Sequence, residues 1–437
     1  MSQLKKSVLL AGLCWLGASL ATPAAQATES PWPTFQHNAQ RTGAVQRPEI
    51  SNPKVRWQQP VSTTGWLNNP IVAEGMVFTG SSGHAWNTPD STDGVYAFDT
   101  QSGKKRWFQP IENDVNQIVY GDGLIFGSDG DNNVWALDAK TGQRRWSTQL
   151  DGEVYQLLHL KANGRSQLVA GDSTGKLLWL DSSSGKTLGI SKLDGAIRSG
   201  ASASADSVFV TTTQGTLYAF DLQRNLRWQA SLRTFFSELT AEYMPELEIY
   251  GAPTLYKDLL IVGFARDTTY ATPALVAVEQ RTGKLRWRGN GGVRTEWGNI
   301  RTSPAVAGNR LIYAEPYSNE IISVLADSGV FEGSLNAGAM MFPQWSSPAV
   351  AGNTAYVPRF DGGLYALNTE TGNLRWQLYL GMPGRVSPKL PEALFANQYG
   401  SWRPEVGDAI FSSPALDAAG NLYLSVAGYL YCIENAR

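Results

Sequence analysis

Apolar and polar residues alternate in short runs along most of the chain, and the runs end in a recurring way. In VYAFDTQSGKKRW, residues 95–107, the first five residues alternate between two faces with a period of two. That period, with branched and aromatic residues, predicts a β-strand. TQSGK then predicts a tight turn with Gly103 where a positive φ is needed. The segment that ends at Trp107 predicts a second, antiparallel strand.

This strand–turn–strand unit recurs along the chain. Four further strong copies end at Trp146, Trp228, Trp287 and Trp376, and two weaker copies end at Gly189 and Gly333. Aligned on the Trp107 position, successive copies are separated by 39, 43, 39, 59, 46 and 43 residues. A period of roughly 40 residues is typical of repeat architectures such as propellers and solenoids. An incomplete copy, LYCIENAR, ends the sequence at Arg437.

Each repeat has room for four strands. Seven complete repeats and one shared copy predict an all-β protein, an eight-bladed β-propeller with four-stranded antiparallel blades. The strand around Trp57 has no preceding partner, and the C-terminal repeat lacks its closing strand. We therefore expect the N-terminal strand to join the C-terminal blade, which closes the ring and removes exposed sheet edges. A linear β-solenoid is the alternative, but it does not explain the complementary missing strands.

The first 27 residues resemble a secretory signal peptide. A short basic segment precedes the apolar run SVLLAGLCWLGASLA, and 25–27 read Ala-Gln-Ala, a small-x-small cleavage pattern. The residues before Cys14 do not fit a lipoprotein signal, and an uncleaved anchor is the alternative. We expect a signal peptide at 1–27, an extended lead-in over the domain surface at 28–53, and a single propeller domain at 54–437. The protein is then periplasmic and not a lipoprotein.

Composition narrows the classes of function. Lys and Arg total 36 and Asp and Glu total 38, and no basic run is present, so nucleic-acid binding is not expected. After signal removal only Cys432 remains, which we expect to be a buried apolar side chain rather than a nucleophile. We expect a monomer without a transmembrane span in the mature chain. The run Asp129, Asp131, Asn133 lacks the remaining parts of a calcium loop and predicts a blade turn.

The loops differ in length between the two ends of each blade. First-to-second and third-to-fourth turns are short throughout, whereas second-to-third loops and blade-to-blade crossovers carry the insertions. The insertions are at 81–94, 234–251, 266–273, 289–304 and 381–410. Successive turns of an antiparallel meander alternate between two ends, so all these insertions share one face. We call it the insertion face and predict that it is the binding face; the alternative is that insertions merely accumulated there.

The insertion face also holds the entrance to the central channel. Aromatic rings and two arginines there can form a pocket for a flat anion, through stacking and charge-assisted hydrogen bonds. The alternative is that polar residues only satisfy channel water. The candidate ligand-binding residues are Trp66, Asn69, Arg198, Tyr250, Trp297, Arg301 and Trp345. Candidate partner-binding residues, expected to be exposed on the long loops, are Phe235, Phe236, Tyr243, Phe395, Tyr399 and Trp402.

The unit A-x-D-x-x-T-G-x-x-x-W, nearly complete at 136–146, resembles the tryptophan-docking repeat of quinoprotein-type eight-bladed propellers. That family includes pyrroloquinoline quinone (PQQ) dehydrogenases and non-enzymatic, BamB-like outer-membrane assembly propellers. WPTFQHNAQRTG, residues 32–43, also resembles the lead-in of PQQ-like repeat proteins. The resemblance implies that each repeat tryptophan packs between neighbouring blades. The docking residues are then Trp57, Trp107, Trp146, Trp228, Trp287 and Trp376.

The resemblance leaves the chemistry open. The resemblance implies that a dehydrogenase of this family would carry a vicinal cysteine pair, a calcium site and an aspartate base. This sequence has no such pair, and no motif ties Glu296, Asn299 and Asp408 together. The widely separated histidines argue against zinc or a catalytic triad. We expect no cofactor and a non-catalytic scaffold protein, related to outer-membrane assembly, that binds another exported or envelope protein. The alternatives are a quinoprotein that binds PQQ with calcium, and a propeller that binds a cell-surface glycan.

Overall fold

Eight antiparallel blades of four strands, one of them extended by a fifth, parallel strand, account for nearly all regular structure in the computed structural model. The residues that the structure describes are 32–65, 67–84, 88–162, 164–236, 247, 249–264, 275–289, 300–314, 320–336, 345–359, 362–381 and 410–436. Pro31–Arg437 forms one compact unit. The innermost strands of neighbouring blades lie side by side at most junctions and the last lies beside the first, which confirms the eight-bladed propeller.

The N-terminal half contains two lead strands, four complete blades and one short helix. The lead strands are β1 (Ala44–Val45) and β2 (Pro53–Pro60). Blades one and two are β3 (Ile71–Ala73), β4 (Met76–Ser81), β5 (Gly94–Asp99), β6 (Lys105–Pro110), β7 (Val119–Gly121), β8 (Leu124–Ser128), β9 (Asn133–Asp138) and β10 (Arg144–Gln149). Blades three and four are β11 (Val154–Ala162), β12 (Arg165–Asp172), β13 (Lys176–Asp181), β14 (Thr187–Lys192), β15 (Ser202–Ala203), β16 (Ser207–Thr211), β17 (Thr216–Asp221) and β18 (Leu226–Ser231). A 3₁₀ helix, Leu232–Phe235, follows.

The C-terminal half supplies the other four blades. Blades five and six are β19 (Thr254–Tyr256), β20 (Leu259–Gly263), β21 (Leu275–Glu279), β22 (Leu285–Gly289), β23 (Ala305–Ala307), β24 (Arg310–Ala314), β25 (Glu320–Leu325) and β26 (Phe331–Asn336). Blade seven is β27 (Ala349–Ala351), β28 (Thr354–Pro358), β29 (Gly363–Asn368) and β30 (Leu374–Tyr379), and β1 adds a parallel strand to it. Blade eight contains β31 (Ala415–Leu416), β32 (Leu422–Val426) and β33 (Tyr429–Asn435).

The ring closes as the sequence predicts. Strand β2 pairs antiparallel with β33 as the outer strand of blade eight, and Trp57 lies opposite Cys432. Cys432 is buried, and its burial raises the thiol pKa to about 12. The thiol therefore stays protonated near neutral pH, which confirms its expected role as an apolar core side chain.

The repeated aspartate, glycine and tryptophan each have a structural role. In blade two, Asp138 accepts backbone hydrogen bonds from Lys140 and Thr141 at 3.1 and 2.9 Å, so it shapes the turn. The side chain of Arg145 donates to the same carboxylate and is the main reason why the pKa of Asp138 falls to about 2. Gly142 has a φ of 75°, and a Cβ on it would lie 2.7 Å from the Trp107 ring. Glycine is therefore required both for conformation and for blade contact.

The repeat tryptophans make a common hydrogen bond across the blade junctions. Each indole N–H donates to a backbone carbonyl at the next blade, and six such contacts are present. They are Trp57 to Thr100 at 3.3 Å, Trp107 to Ala139 at 3.0 Å, Trp146 to Ser182 at 3.0 Å, Trp228 to Gln280 at 2.9 Å, Trp287 to Ala326 at 3.1 Å and Trp376 to Ile50 at 2.6 Å.

The lead-in does not run over the surface, and that expectation is wrong. Trp32 and Arg41 are 1% and 0% exposed. From Trp32 to Val45 the chain crosses the channel and makes backbone hydrogen bonds with the first strands or first turns of six blades. The partners are Val72, Tyr120, Ala203, Leu255, Val306, Val350 and Gly352. These innermost strands have an unpaired edge towards the axis, and the lead-in satisfies part of it.

We call residues 32–45 the plug. The Arg41 guanidinium, in its centre, donates to the carbonyl oxygens of Ala201, Phe35 and Leu157 at 3.1, 2.9 and 3.0 Å, and to the Thr34 hydroxyl at 2.6 Å. The backbone partners of the plug lie within the first strands or, for Gly352, in a first-to-second turn. First strands run from the insertion face towards these turns, so the plug lies deeper in the channel than the residues that precede the first strands. No helix among the described residues is long and apolar enough to cross a membrane.

Candidate functional site at the channel mouth

Five blades present a side chain at the same point of the repeat, four residues before the innermost strand. These side chains are Arg198, Tyr250, Arg301, Trp345 and Phe411, which enter blades four to eight in order. All five are half-buried. Their common repeat position places them at the insertion-face end of the channel. We call this end the mouth.

Three of the predicted ligand-binding residues are in mutual contact. The Arg301 guanidinium carbon lies 4.9 Å from the ring centroid of Trp345 and 5.7 Å from that of Tyr250. The two rings meet edge to face, with centroids 5.0 Å apart at 70°. Cation–π contact of this kind orients an arginine while its N–H groups point along the guanidinium plane. The arrangement is suited to binding a carboxylate or carbonyl group beside an aromatic surface.

Arg198 reaches the same cluster through Tyr155. Burial is the main cause that raises the pKa of Tyr155 to about 12, and the neighbouring Glu153 carboxylate and Tyr250 add to it. The Arg198 charge acts in the opposite direction on this pKa, so it lies within electrostatic reach of the phenol. The mouth therefore carries two arginines, one carboxylate and several aromatic rings.

Asn69 has a different role from the one predicted. It is 2% exposed, and its side-chain oxygen accepts a hydrogen bond from the backbone N–H of Ser413 at 2.6 Å. The Ser413 hydroxyl in turn accepts from Ser347 N–H at 2.8 Å, and the Ser347 hydroxyl from Ser303 N–H at 2.9 Å. This relay joins blades six, seven, eight and one, and explains the repeated Ser-Pro and Asn-Pro sequences at the crossovers.

Buried polar atoms without a hydrogen-bond partner lie near the mouth, on glutamines whose place before or at a first strand the sequence also indicates. Gln117 is 1% exposed, and within the described chain neither its amide nitrogen nor its amide oxygen has a hydrogen-bond partner. The same holds for the Gln156 side-chain oxygen and the Thr302 hydroxyl. Gln156 also donates to the Tyr250 carbonyl at 3.4 Å, so its amide lies beside the aromatic cluster, and the Gln117 backbone N–H donates to the Tyr155 carbonyl at 3.3 Å. Unpaired buried amides are costly, and water or a ligand group would satisfy them.

The predicted partner-binding residues are only partly within the described chain. Phe235 is half-buried and packs against the core, whereas Phe236 is 1% exposed. Phe236 packs against Phe264 with ring centroids 5.5 Å apart, so its prediction as an exposed anchor is wrong. The short helix before it turns the ring into the core. Trp66, Trp297, Tyr243, Phe395, Tyr399 and Trp402 lie outside the described residues, as do Glu296, Asn299 and Asp408.

Other candidate chemistry is accounted for by the fold. The side-chain Oδ1 of Asp129 accepts from the backbone N–H groups of Asp131 and Asn133, both at 3.0 Å, which confirms a blade turn. His159 pairs with Asp122 at 3.2 Å on the first-to-second turn of blade two. Within the described ranges, no three His, Cys, Asp or Glu residues are grouped so that they could hold a metal ion.

A family profile described as outer membrane protein assembly factor BamB matches residues 41–234, 162–337 and 260–388. The three matches together span residues 41–388, which is well over half of the sequence. The chain belongs to this BamB family of PQQ-like repeat propellers. A search of curated proteins found no match.

Solved structures place the BamB-family chain among eight-bladed propellers of different functions. BamB from Moraxella catarrhalis matches with a TM-score of 0.61 and 15% identity, over 87% of this chain and 97% of that one. A europium-containing methanol dehydrogenase matches with a TM-score of 0.65 and 15% identity, over 93% of this chain and 98% of that one. Quinohemoprotein alcohol dehydrogenase from Comamonas testosteroni matches with a TM-score of 0.65 and 12% identity, over 93% of this chain and 81% of that one. Identities this low show a shared fold and leave the function to the residues of the site.

Proposed function

We propose that this BamB-family propeller is an exported, periplasmic, non-catalytic scaffold that holds another envelope protein against its insertion face. The asymmetry of the channel is the observation that carries the proposal. Within the described chain, the plug occupies the channel below the mouth, and Arg198, Tyr250, Arg301 and Trp345 are presented at the mouth. The long insertions share that end by topology. A function in outer-membrane protein assembly is the specific form that the family membership favours.

The mouth has the residue types that dominate protein interfaces. Trp, Tyr and Arg are enriched among residues whose truncation costs about 2 kcal/mol or more of binding energy. Here they form one cluster, in which Arg301 contacts both Trp345 and Tyr250. A partner loop with a carboxylate beside an aromatic or aliphatic side chain would match it. The positive charge of Arg198 and Arg301 would orient that loop.

Site-specific photocrosslinking tests the proposal. A benzoylphenylalanine at position 345, in the mouth, should form a discrete adduct with an envelope protein in cells. The same probe at position 140 is the matched control. Lys140 has 77% of its side chain exposed and lies on a third-to-fourth turn at the opposite end. Arg301→Glu combined with the position-345 probe should abolish the adduct, because the charge that orients the partner is reversed.

The positions at which the adduct forms distinguish the scaffold function from the alternatives. An adduct that depends on position 345 and on Arg301 supports the scaffold function, and a variant lacking 384–406 tests the longest crossover in the same assay. Equal adducts at 345 and 140, or none at either position, would overturn it. A glycan that competes for the adduct would instead support a glycan-binding propeller.

A small flat anion such as PQQ is the second candidate ligand, and the buried amides favour it. Gln156 lies beside Tyr250, and Gln117 lies beside Tyr155, and both carry unpaired polar atoms. Carbonyl or carboxylate groups inserted at the mouth could meet them. These residues fit the organic group. They do not by themselves supply the six or more oxygen ligands that calcium prefers. Titration with PQQ, with and without calcium, should show stoichiometric absorbance changes that Arg301→Gln removes; no change at equimolar PQQ would exclude this ligand.

A further inference from the structure

Neighbouring blades are joined at nearly every junction by one large aromatic side chain. At five junctions the indole covers a turn glycine of the next blade, and a Cβ there would lie 2.5–2.7 Å from the ring. The glycines are Gly103, Gly142, Gly185, Gly283 and Gly329. At the junction of blades seven and eight, Trp376 donates to the Ile50 carbonyl. The indole and the carbonyl three residues before the turn glycine thus form a repeated, well-defined contact.

The junction of blades three and four keeps its aromatic group by a different route. Gly189 stands at the tryptophan position, but Trp179 lies directly opposite it in the strand register. Trp179 is 1% exposed and meets Phe220 of blade four edge to face, with centroids 5.4 Å apart. Arg224 fills the remaining space, because its Cδ lies 3.0 Å from a Cβ built on Gly189. The loss of one indole is therefore compensated locally.

The junction of blades six and seven shows no such compensation among the described residues. Gly333 stands at the tryptophan position, and the residue opposite it is Ser323, which points its hydroxyl to Glu332 at 3.4 Å. The receiving turn of blade seven is unchanged, because Gly372 has the usual φ of 71°. Yet no described atom lies within 4 Å of a Cβ on either Gly333 or Gly372.

We call the space between Gly333 and Gly372 the indole slot. Thr369 is three residues before Gly372, so its carbonyl corresponds to the oxygens of Ala139 and Ser182 that accept an indole N–H elsewhere. Phe331, on the outer strand beside the slot, is 40% exposed. The slot therefore lies where the other junctions hold an indole, and it has a carbonyl at the equivalent position of the turn and an apolar neighbour.

We propose that the indole slot is a docking site for a tryptophan side chain of a partner protein. The occupant is defined by the seven other junctions, where the same repeat position or its register neighbour holds an indole. A tryptophan supplied in trans would restore the stacking on Gly372 and the N–H bond to Thr369. The slot lies beside a third-to-fourth turn, at the end of the blade away from the insertion face. It is thus a second interaction site, independent of the scaffold function proposed above.

The test uses N-acetyl-L-tryptophanamide as the probe and ligand-observed saturation-transfer NMR with the purified full-length protein. We expect a saturable signal from the wild type, and a signal at least tenfold weaker when Gly333→Trp fills the slot from within. Ser323→Trp is a second filling variant, which copies the position of Trp179 in blade three, for use if the first does not fold. Leu285→Trp is the matched control, since it adds an exposed indole to a blade that already has Trp287.

The relative binding of three amino-acid amides shows whether the slot is specific for an indole. N-acetyl-L-phenylalaninamide should bind more weakly than the tryptophan probe, because it has no N–H donor for the Thr369 carbonyl, and N-acetyl-L-leucinamide should bind least. Equal binding of the leucine probe would reveal a non-specific apolar patch and overturn the proposal. The absence of a tryptophan signal in the wild type would overturn it, as would an undiminished signal in both filling variants.

Discussion

Replacing Arg41 with methionine should destabilise the whole propeller, because Arg41 holds the plug to the blades. Its guanidinium donates to three carbonyl oxygens and one hydroxyl, and the side chain is 0% exposed. Methionine has a similar length and leaves these acceptors buried without donors. Each unsatisfied buried group costs about 1–3 kcal/mol.

The charge of Arg41 is itself expensive to bury, and this reduces the net loss. Desolvation lowers the pKa of Arg41 from 12.5 to about 9. The guanidinium therefore remains charged at neutral pH, but its charged form is less stable than it would be in water. Removal of the charge relieves this cost. With three carbonyl oxygens left unpaired, we expect a net loss of about 2–5 kcal/mol in the free energy of unfolding.

Urea unfolding followed by tryptophan fluorescence measures the loss, with Arg106→Met as the control. Arg106 pairs with Asp99 at 2.5 Å on the surface, and its side chain is 53% exposed. An exposed ion pair contributes about 0–1 kcal/mol, so the control should stay near the wild type. If Arg41→Met and Arg106→Met unfold within about 0.5 kcal/mol of each other, which is the usual scatter between independent sites, the plug is not part of the cooperative core.

Three further predictions concern single side chains in blades two and three. Trp146→Ala should cost about 3–5 kcal/mol in urea unfolding, because it empties a blade junction, whereas Trp146→Phe should cost less. Burial lowers the pKa of His159 below 6.5, so the unfolded chain binds its proton more readily. The melting temperature should therefore fall as the pH drops below about 6.5, and less steeply in His159→Gln. Desolvation raises the pKa of Asp129 to about 6, so its ionised form costs stability above that pH. Asp129→Asn should raise the free energy of unfolding by about 1–3 kcal/mol at about pH 7.5 and leave it unchanged at about pH 4; equal effects at both values would contradict the assignment.

The sequence predicts the blades well because the determinants of a blade are local. The aspartate that caps the turn, the glycine and the docking tryptophan lie close together in the chain, as in Asp138, Gly142 and Trp146. Even the mouth cluster is accessible from sequence, because Tyr250, Arg301 and Trp345 occupy one repeat position in successive blades. In a repeat protein, residues that are neighbours in space occupy equivalent positions in successive repeats, so the sequence alone can indicate which residues meet.

The plug could not be predicted in the same way. Its partners are backbone groups of six blades, which lie far away along the chain, and backbone groups carry no sequence signal. Its path also depends on positive φ values at Gln36, His37 and Arg41, which are not glycines. The burial of Phe236 escaped prediction for a related reason, since a loop position gives no periodicity from which to infer a buried face.

The plug and the closing strand together determine when the propeller becomes complete. Strand β2 needs β33 from the C-terminus, and the plug needs the first strands or first turns of six blades, the last of which is blade seven. Neither can therefore form before nearly the whole chain has been synthesised. Until then the channel is open at both ends, and the inner edges of the blades are exposed to pairing with other strands. In the described part of the folded chain the plug then occupies the channel below the mouth, so we expect a partner or ligand that uses the channel to approach through the mouth.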